Sequence, residues 1–232
     1  MSTTATPDPG AADASPSDRT PHDALVELLG VLCYGALIAF DHLAADARLA
    51  PDLRRRAALS EMAAAEFGHY QRLAARLTEL GHDPSDAMAP FVPALNDFHD
   101  STCPRDWLEG LVKAYVGDGI ADDFYREVAA FLDEPDRSLV LDVLHDTNHA
   151  AFTIAEVRAA IAVDPGRAGA LALWARRLVG EAISQAQRVA AEHDGLAGLV
   201  LTGTGDLAGV GALIKRLTTA HTARMRALGL NN

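Results

Sequence analysis

Cysteine is almost missing from these 232 residues: only Cys33 and Cys103 occur, far apart and without CxxC spacing. That excludes a disulfide scaffold and a thiolate zinc cluster, and it fits reduced thiols in a cytoplasmic protein. Aromatic residues make up 6% of the chain, and β-branched clusters alternating with period two are nearly absent, so there is little material for a sheet. No run of about 18 uncharged apolar residues is present, so no membrane span is expected. Positive charge is also short. Twenty Lys and Arg face 32 Asp and Glu, a net charge of −12, which argues against simple electrostatic binding to nucleic acid. The shortage is uneven. From residue 165 onward Arg167, Arg176, Arg177, Arg188, Lys215, Arg216, Arg224 and Arg226 outnumber Glu181, Glu192, Asp194 and Asp206, so this part is +4 and the remainder −16. Such asymmetry marks either an interaction surface or solvated helix faces.

What the chain has in quantity is alanine, leucine and arginine, with apolar residues recurring every three or four positions; this predicts helices nearly throughout. The first twenty residues, rich in Pro, Ala, Ser, Thr and Asp, lack the apolar core of a signal peptide, and residues 1–21 are expected to form a disordered tail before one helical domain at 22–232. Helices are expected over about 23–47, 51–80, 105–132, 136–162, 167–193 and 206–228. The Pro-rich stretch from Gly81 to Arg105 reads as a crossover with a short helix near 92–99. Two hairpins joined by one long connection make an all-α four-helix bundle of the ferritin-like kind, with two appended C-terminal helices. A weak internal repeat agrees with a duplicated hairpin: shifting by 82 positions lays Gly35 to Asp41 over Gly117 to Asp123, with Gly, Ile, Ala and Asp coinciding.

Ionisable residues lie in phase with the apolar stripes. Leu59, Met62, Glu66, His69, Leu73 and Leu77 share one face of the second helix. Leu108, Leu111, Tyr115, Asp118, Asp122 and Tyr125 line the third, and Leu139, Asp142, Asp146, His149 and Thr153 the fourth. A buried carboxylate costs several kcal/mol unless it is paired or bound to a metal. Acid-x-x-His occurs four times, but Glu79/His82 straddles a helix stop and His145 lies off its stripe. Glu66/His69 and Asp146/His149 occupy equivalent places in the two hairpins, with Asp118 on a third helix. An acid three residues before a histidine sets an oxygen and a nitrogen ligand on one helical face. Two facing pairs with further carboxylates make an oxygen-rich dinuclear site, for iron first and for manganese or a mixed pair second. Asp122 adds a further ligand or neighbour. Hydrogen-bonded Asp and His inside an ordinary bundle are the plainer reading of each residue alone.

The segments LLGVLCYGALIAFDHLA, EMAAAEFGHYQRL, PRDWLEGLVKAYVGDGIADDFYREVAAFL, DTNHAAF and GEAISQAQRVAAE carry a resemblance over about residues 24–229. The chain resembles the ferritin-like superfamily, specifically actinobacterial proteins similar to tRNA-(2-methylthio-N6-isopentenyladenosine) hydroxylase. The resemblance implies a helical domain with a non-haem di-iron centre and oxygen-dependent hydroxylation, supplied by an electron donor. A small-molecule or RNA substrate would fit, although the −12 net charge opposes RNA. A homo-oligomer, a dimer first, is the expected assembly.

One position departs from the pattern. Proteins of this kind usually supply a glutamate from the first helix where this chain has Ala36, in the stripe Leu29, Cys33, Ala36, Phe40, Leu43. Asp41 is about 140° around the helix from Ala36 and substitutes poorly. Glu181 is a candidate if the fifth helix closes over the site, with a salt bridge to Arg177 or Arg188 as its structural alternative. Tyr115, one turn from Asp118, is a candidate redox-active or hydrogen-bonding neighbour, or a packed core tyrosine. Two functions follow: a di-iron oxygenase acting on an organic substrate, or a non-catalytic helical module with an incomplete metal site that serves self-association or partner binding.

Overall fold

The computed structural model describes residues 21–144 and 148–231. The expected tail at 1–20 and the residues His145 and Asp146 lie outside them. Among the described residues there are helices and turns and no strand.

The chain opens with α1 (Pro21–Asp46), an apolar helix that buries Leu28, Leu29, Val31, Cys33 and Ala36. A single 3₁₀ turn at Ala47–Leu49 leads to Asp52, whose carboxylate accepts from the backbone N–H of Arg55 at 2.9 Å and so starts α2 (Leu53–Glu79). Gly81, at φ +85°, ends the hairpin where a side chain would be strained. The stretch Pro21–Leu49 is long and apolar enough to cross a membrane by composition. It packs instead along α2, and half of its most apolar window is buried inside the bundle, as befits a core helix.

The crossover is more helical than its prolines suggest. Asp83 caps α3 (Pro84–Met88), a 3₁₀ turn carries the buried Phe91, and α4 (Val92–Ser101) follows. The third rod begins when Asp106 caps α5 (Trp107–Val112). It passes through a π-helical turn at Lys113–Asp118 and continues as α6 (Gly119–Ala129). Of the fourth, expected as one helix over 136–162, the described parts are α7 (Asp136–Val143), which ends at Leu144, and α8 (Asn148–Val163). Three ion pairs hold it alongside α2: Arg55–Glu156 at 2.5 Å, Arg72–Asp142 at 3.2 Å and Arg76–Asp136 at 2.6 Å.

Three helices cover this bundle. In α9 (Arg167–Glu192), Trp174 donates its indole N–H to the Glu109 carbonyl at 3.0 Å and Arg177 donates to the Ser101 carbonyl at 2.6 Å. The sequence reading missed α10 (Asp194–Thr204), a run of small and apolar residues whose Leu196 N–H is accepted by Glu27 on α1 at 2.9 Å. Asp206 caps α11 (Leu207–Leu228) through Gly209 N–H, as its position after the glycine turn predicts. Two apolar clusters fill the interior. One lies between α1, the C-terminal end of α2, α7 and α10; the other lies between α5, α8, α9 and α11.

Candidate metal centre

Four of the expected residues are brought to one region. On α2, Glu66 and His69 are one turn apart, with Glu66 Oε2 3.3 Å from His69 Nδ1. That bond raises the imidazole pKa above its ordinary value, against burial, and the charge of Asp122 on the facing helix acts in the same direction. Asp122 is pushed up to about 7 by burial first and by the Glu66 carboxylate second, with Arg126 and Arg224 opposing. Burial again comes first for Asp118, raised well above the carboxylate range, and Asp122 and Glu66 add to it while Lys113 opposes. Both Asp residues keep some solvent-accessible surface, but their carboxylates lie within the bundle and feel one another. Glu66, Asp118 and Asp122 therefore form a cluster of like charge with one imidazole at its edge.

Tyr115 and Glu181 do not join it. Tyr115 packs under Arg224, whose guanidinium lies 5.8 Å from the ring centroid, and so faces α11. The π-helical turn is the reason. It inserts a residue into the α-helical phase, so the stripe read as Leu111, Tyr115, Asp118, Asp122 does not stay on one face. Glu181 accepts from Gln185 at 2.9 Å one turn along α9 and is not among the charges that act most on Asp118 or Asp122. His149, partly buried, sits in the first turn of α8, and Asp146 lies outside the described residues. Ala36 is buried in an apolar cluster and offers no donor.

A second polar group adjoins Asp118, and the sequence reading missed it. Lys113, only 3% exposed, points its Nζ at the His99 carbonyl, 3.5 Å away, and lies 5.6 Å from the Phe98 ring centroid. Around it are Asp46 and His42 from α1 and His99 from α4, lining with Lys113 and Asp118 a cavity of about 10 Å³. His42 and His99 stack with centroids 4.1 Å apart. Burial and the Lys113 charge hold His99 down to about 2, and the same two causes lower His42. Its signal was present in the sequence as a lysine flanked by apolar residues in LVKAYVGD.

The fold and this carboxylate-lined interior agree with what comparison finds. A family model described as a ferritin-like domain of actinomycetes matches residues 20–203. The chain belongs to that family. No curated protein matches it. The ferritin-like domain is therefore assigned by its family model and its helices, and the finer likeness to a tRNA hydroxylase has no support from either.

Bundles of this kind commonly hold two irons on carboxylates and Glu-x-x-His pairs from four helices. The donors among the described residues do not by themselves make up that centre. Among the described residues no three His, Cys, Asp or Glu side chains converge on a point that could hold a metal ion. The first helix has Ala36 at the expected ligand position, His69 Nδ1 is engaged by Glu66, and a lysine stands beside Asp118.

Proposed function

We propose that the ferritin-like domain is a non-catalytic helical module whose metal centre is incomplete, and that it works by associating with a second copy or with a protein partner. The observation that carries this reading is the donor set: Ala36 where a ligand carboxylate belongs, and a cationic side chain, Lys113, beside the central Asp118. The outer face of α9 supports association, since Leu173 and Ile183 are 64% and 51% exposed on a helix whose Gly169 and Gly180 have open space above them.

A second reading, a di-iron oxygenase or hydroxylase with an unassigned organic substrate, is favoured by one observation. Burial first, then the Glu66 charge on both and the Asp122 charge on Asp118, raises the proton affinity of the two aspartates, as for carboxylates that await a cation. In that reading iron, or manganese in its place, would supply oxygen or redox chemistry at the cluster. The chain's residues would hold the ligand geometry and exclude water.

Anaerobic Fe(II) titration followed by air separates the two. The module reading expects well under one iron per chain and no oxidised-iron absorbance, while Ala36→Glu gains metal affinity by at least tenfold. Wild-type protein that takes up about two irons per chain and develops the chromophore overturns it. Size-exclusion chromatography with light scattering on the same samples reports the mass, for which a dimer is expected.

A further inference from the structure

One acid-x-x-His pair, Glu79/His82, lies outside the carboxylate cluster, and its histidine has a different neighbour. His22, in the first turn of α1, and His82, in the turn after α2, bring their Nε2 atoms to 3.3 Å across 60 positions of sequence. The ring centroids are 5.4 Å apart, which is 2.1 Å more than the two nitrogens (5.4 − 3.3). Each ring therefore points its Nε2 at the other and its Nδ1 away. His22 is exposed and His82 half-buried, so the facing nitrogens are reached from solution.

The backbone fixes both residues. Behind the left-handed Gly81 the chain closes in a Schellman motif: Gly81 N–H donates to the Thr78 carbonyl and His82 N–H to the Leu77 carbonyl, each at 3.0 Å. Asp83 then caps α3 through the N–H groups of Ser85 and Asp86. Eight residues along α1 from His22, Gly30 lets the Ala87 carbonyl of α3 approach, which sets the height at which the two histidines meet. Neutral imidazoles this close can share a proton, but 3.3 Å is long for a bond from an N–H donor, which usually spans about 2.7–3.2 Å. It matches the separation of two nitrogens on one tetrahedral ion: each about 2.0–2.1 Å from zinc, they lie about 3.3–3.4 Å apart. The surrounding charge favours a cation. Glu79, Asp83 and Asp86 lie within four positions of His82, where there is no lysine or arginine, and Asp23 adjoins His22. The positive end of α1 and the negative end of α2 meet here and offset one another.

We propose that His22 and His82 form a zinc site, each supplying its Nε2 to one ion with water in the remaining positions. The ion clamps the start of α1 to the turn that closes the α1–α2 hairpin. Glu79, held by Arg76 at 3.1 Å, and Asp83, held by its cap, contribute charge and not ligands. Two protein donors make an exchangeable site, unlike the four of a closed structural one, so the bundle gains stability as free zinc rises. The site is separate from the Glu66, Asp118 and Asp122 cluster and does not depend on what that cluster binds.

Zinc titration of the full chain, first stripped with chelator, tests it. Zinc at about a hundred times its Kd is expected to raise Tm by about 5–10 °C. His22→Ala and His82→Ala are each expected to abolish that shift. A rise of under about 2 °C in wild type, or a rise that survives either substitution, overturns the site. If an alanine variant does not fold, the imidazole ¹H–¹⁵N spectrum of wild type decides: zinc-induced shifts of both Nε2 resonances support the clamp, and anything less overturns it. Iron uptake tests the module reading and zinc uptake at the histidine pair tests this one, so the two failures are read separately.

Discussion

At the scale of single residues, Asp122 gives the clearest pH signature. Its carboxyl titrates near pH 7 in the folded chain against 3.8 for an unperturbed one. Between those values the folded state binds a proton that the unfolded state has released, so this group's contribution to stability falls as pH rises. Asp122→Asn removes the charge that the folded state resists. In metal-free protein the variant is expected to be about 2 kcal/mol more stable than wild type at pH 8, a value set below the full shift because the residue keeps some contact with solvent. The gain shrinks toward zero near pH 4, where both forms are neutral. Urea midpoints at pH 4, 6 and 8 check it, and a pH-independent difference would sink the argument. Much of this cluster was legible beforehand. Glu66 and His69 interrupt an apolar seam at spacings of three and four, and Asp118 and Asp122 do the same on the facing rod. Lys113 was not singled out, because a lysine in an amphipathic helix ordinarily reaches water and only its neighbours hinted otherwise.

The elements show where local pattern suffices and where packing overrides it. Caps at Asp52, Asp83, Asp106 and Asp206 and the left-handed glycines Gly81 and Gly229 set helix ends that the sequence marks in advance. A π-helical turn has no comparable signature, since inserting one residue changes neither composition nor hydrophobicity; yet it decides that Tyr115 faces α11 and that Lys113 faces Asp118. The helix α10 was missed because Gly and Thr at 202–205 read as a loop, while its N-terminal turn is held by Glu27 of α1. Gly30 shows how tightly the elements meet. A Cβ there would run into the backbone carbonyl of Ala87 on α3, and its next neighbour, the Phe91 ring, would lie 3.3 Å away. Helix propensity alone would make Gly30→Ala stabilising by about 1 kcal/mol. The collision is with backbone, so we expect a net destabilisation of about 1–3 kcal/mol as α3 is pushed off α1. A variant at least as stable as wild type by thermal melting would contradict that.

Over the whole molecule the charge asymmetry acquires a structural role. The basic residues after 165 are largely engaged within the chain: Arg188 pairs with Asp97 at 2.6 Å, Arg216 with Glu127 at 2.8 Å and Arg224 with Asp123 at 2.6 Å. The positive C-terminal part is thus drawn onto the acidic bundle, with less of it left for an outside partner than its sum suggests. Its last helix also lies beyond the family match, which ends at residue 203. That boundary does not coincide with the core. Leu213, Met225, Leu228 and Leu230 are all buried, and Met225, Leu228 and Leu230 pack in the same apolar cluster as Trp107, Val116 and Val157. Burying each such side chain contributes about 1.5–3 kcal/mol, so the four together rival the 5–15 kcal/mol of a typical domain. Part of the loss on truncation is offset, because the removed residues no longer have to be ordered. The faces of α6 and α8 that α11 covers would still be left bare to water, and Asp123 would lose its buried partner. A chain ending at Gly203 is therefore expected to lose more than half of its urea midpoint, or to aggregate on expression. Circular dichroism melts of the two lengths measure this directly, and a truncated protein melting within about 5 °C of the full chain would show α11 to be an appendage and not part of the core.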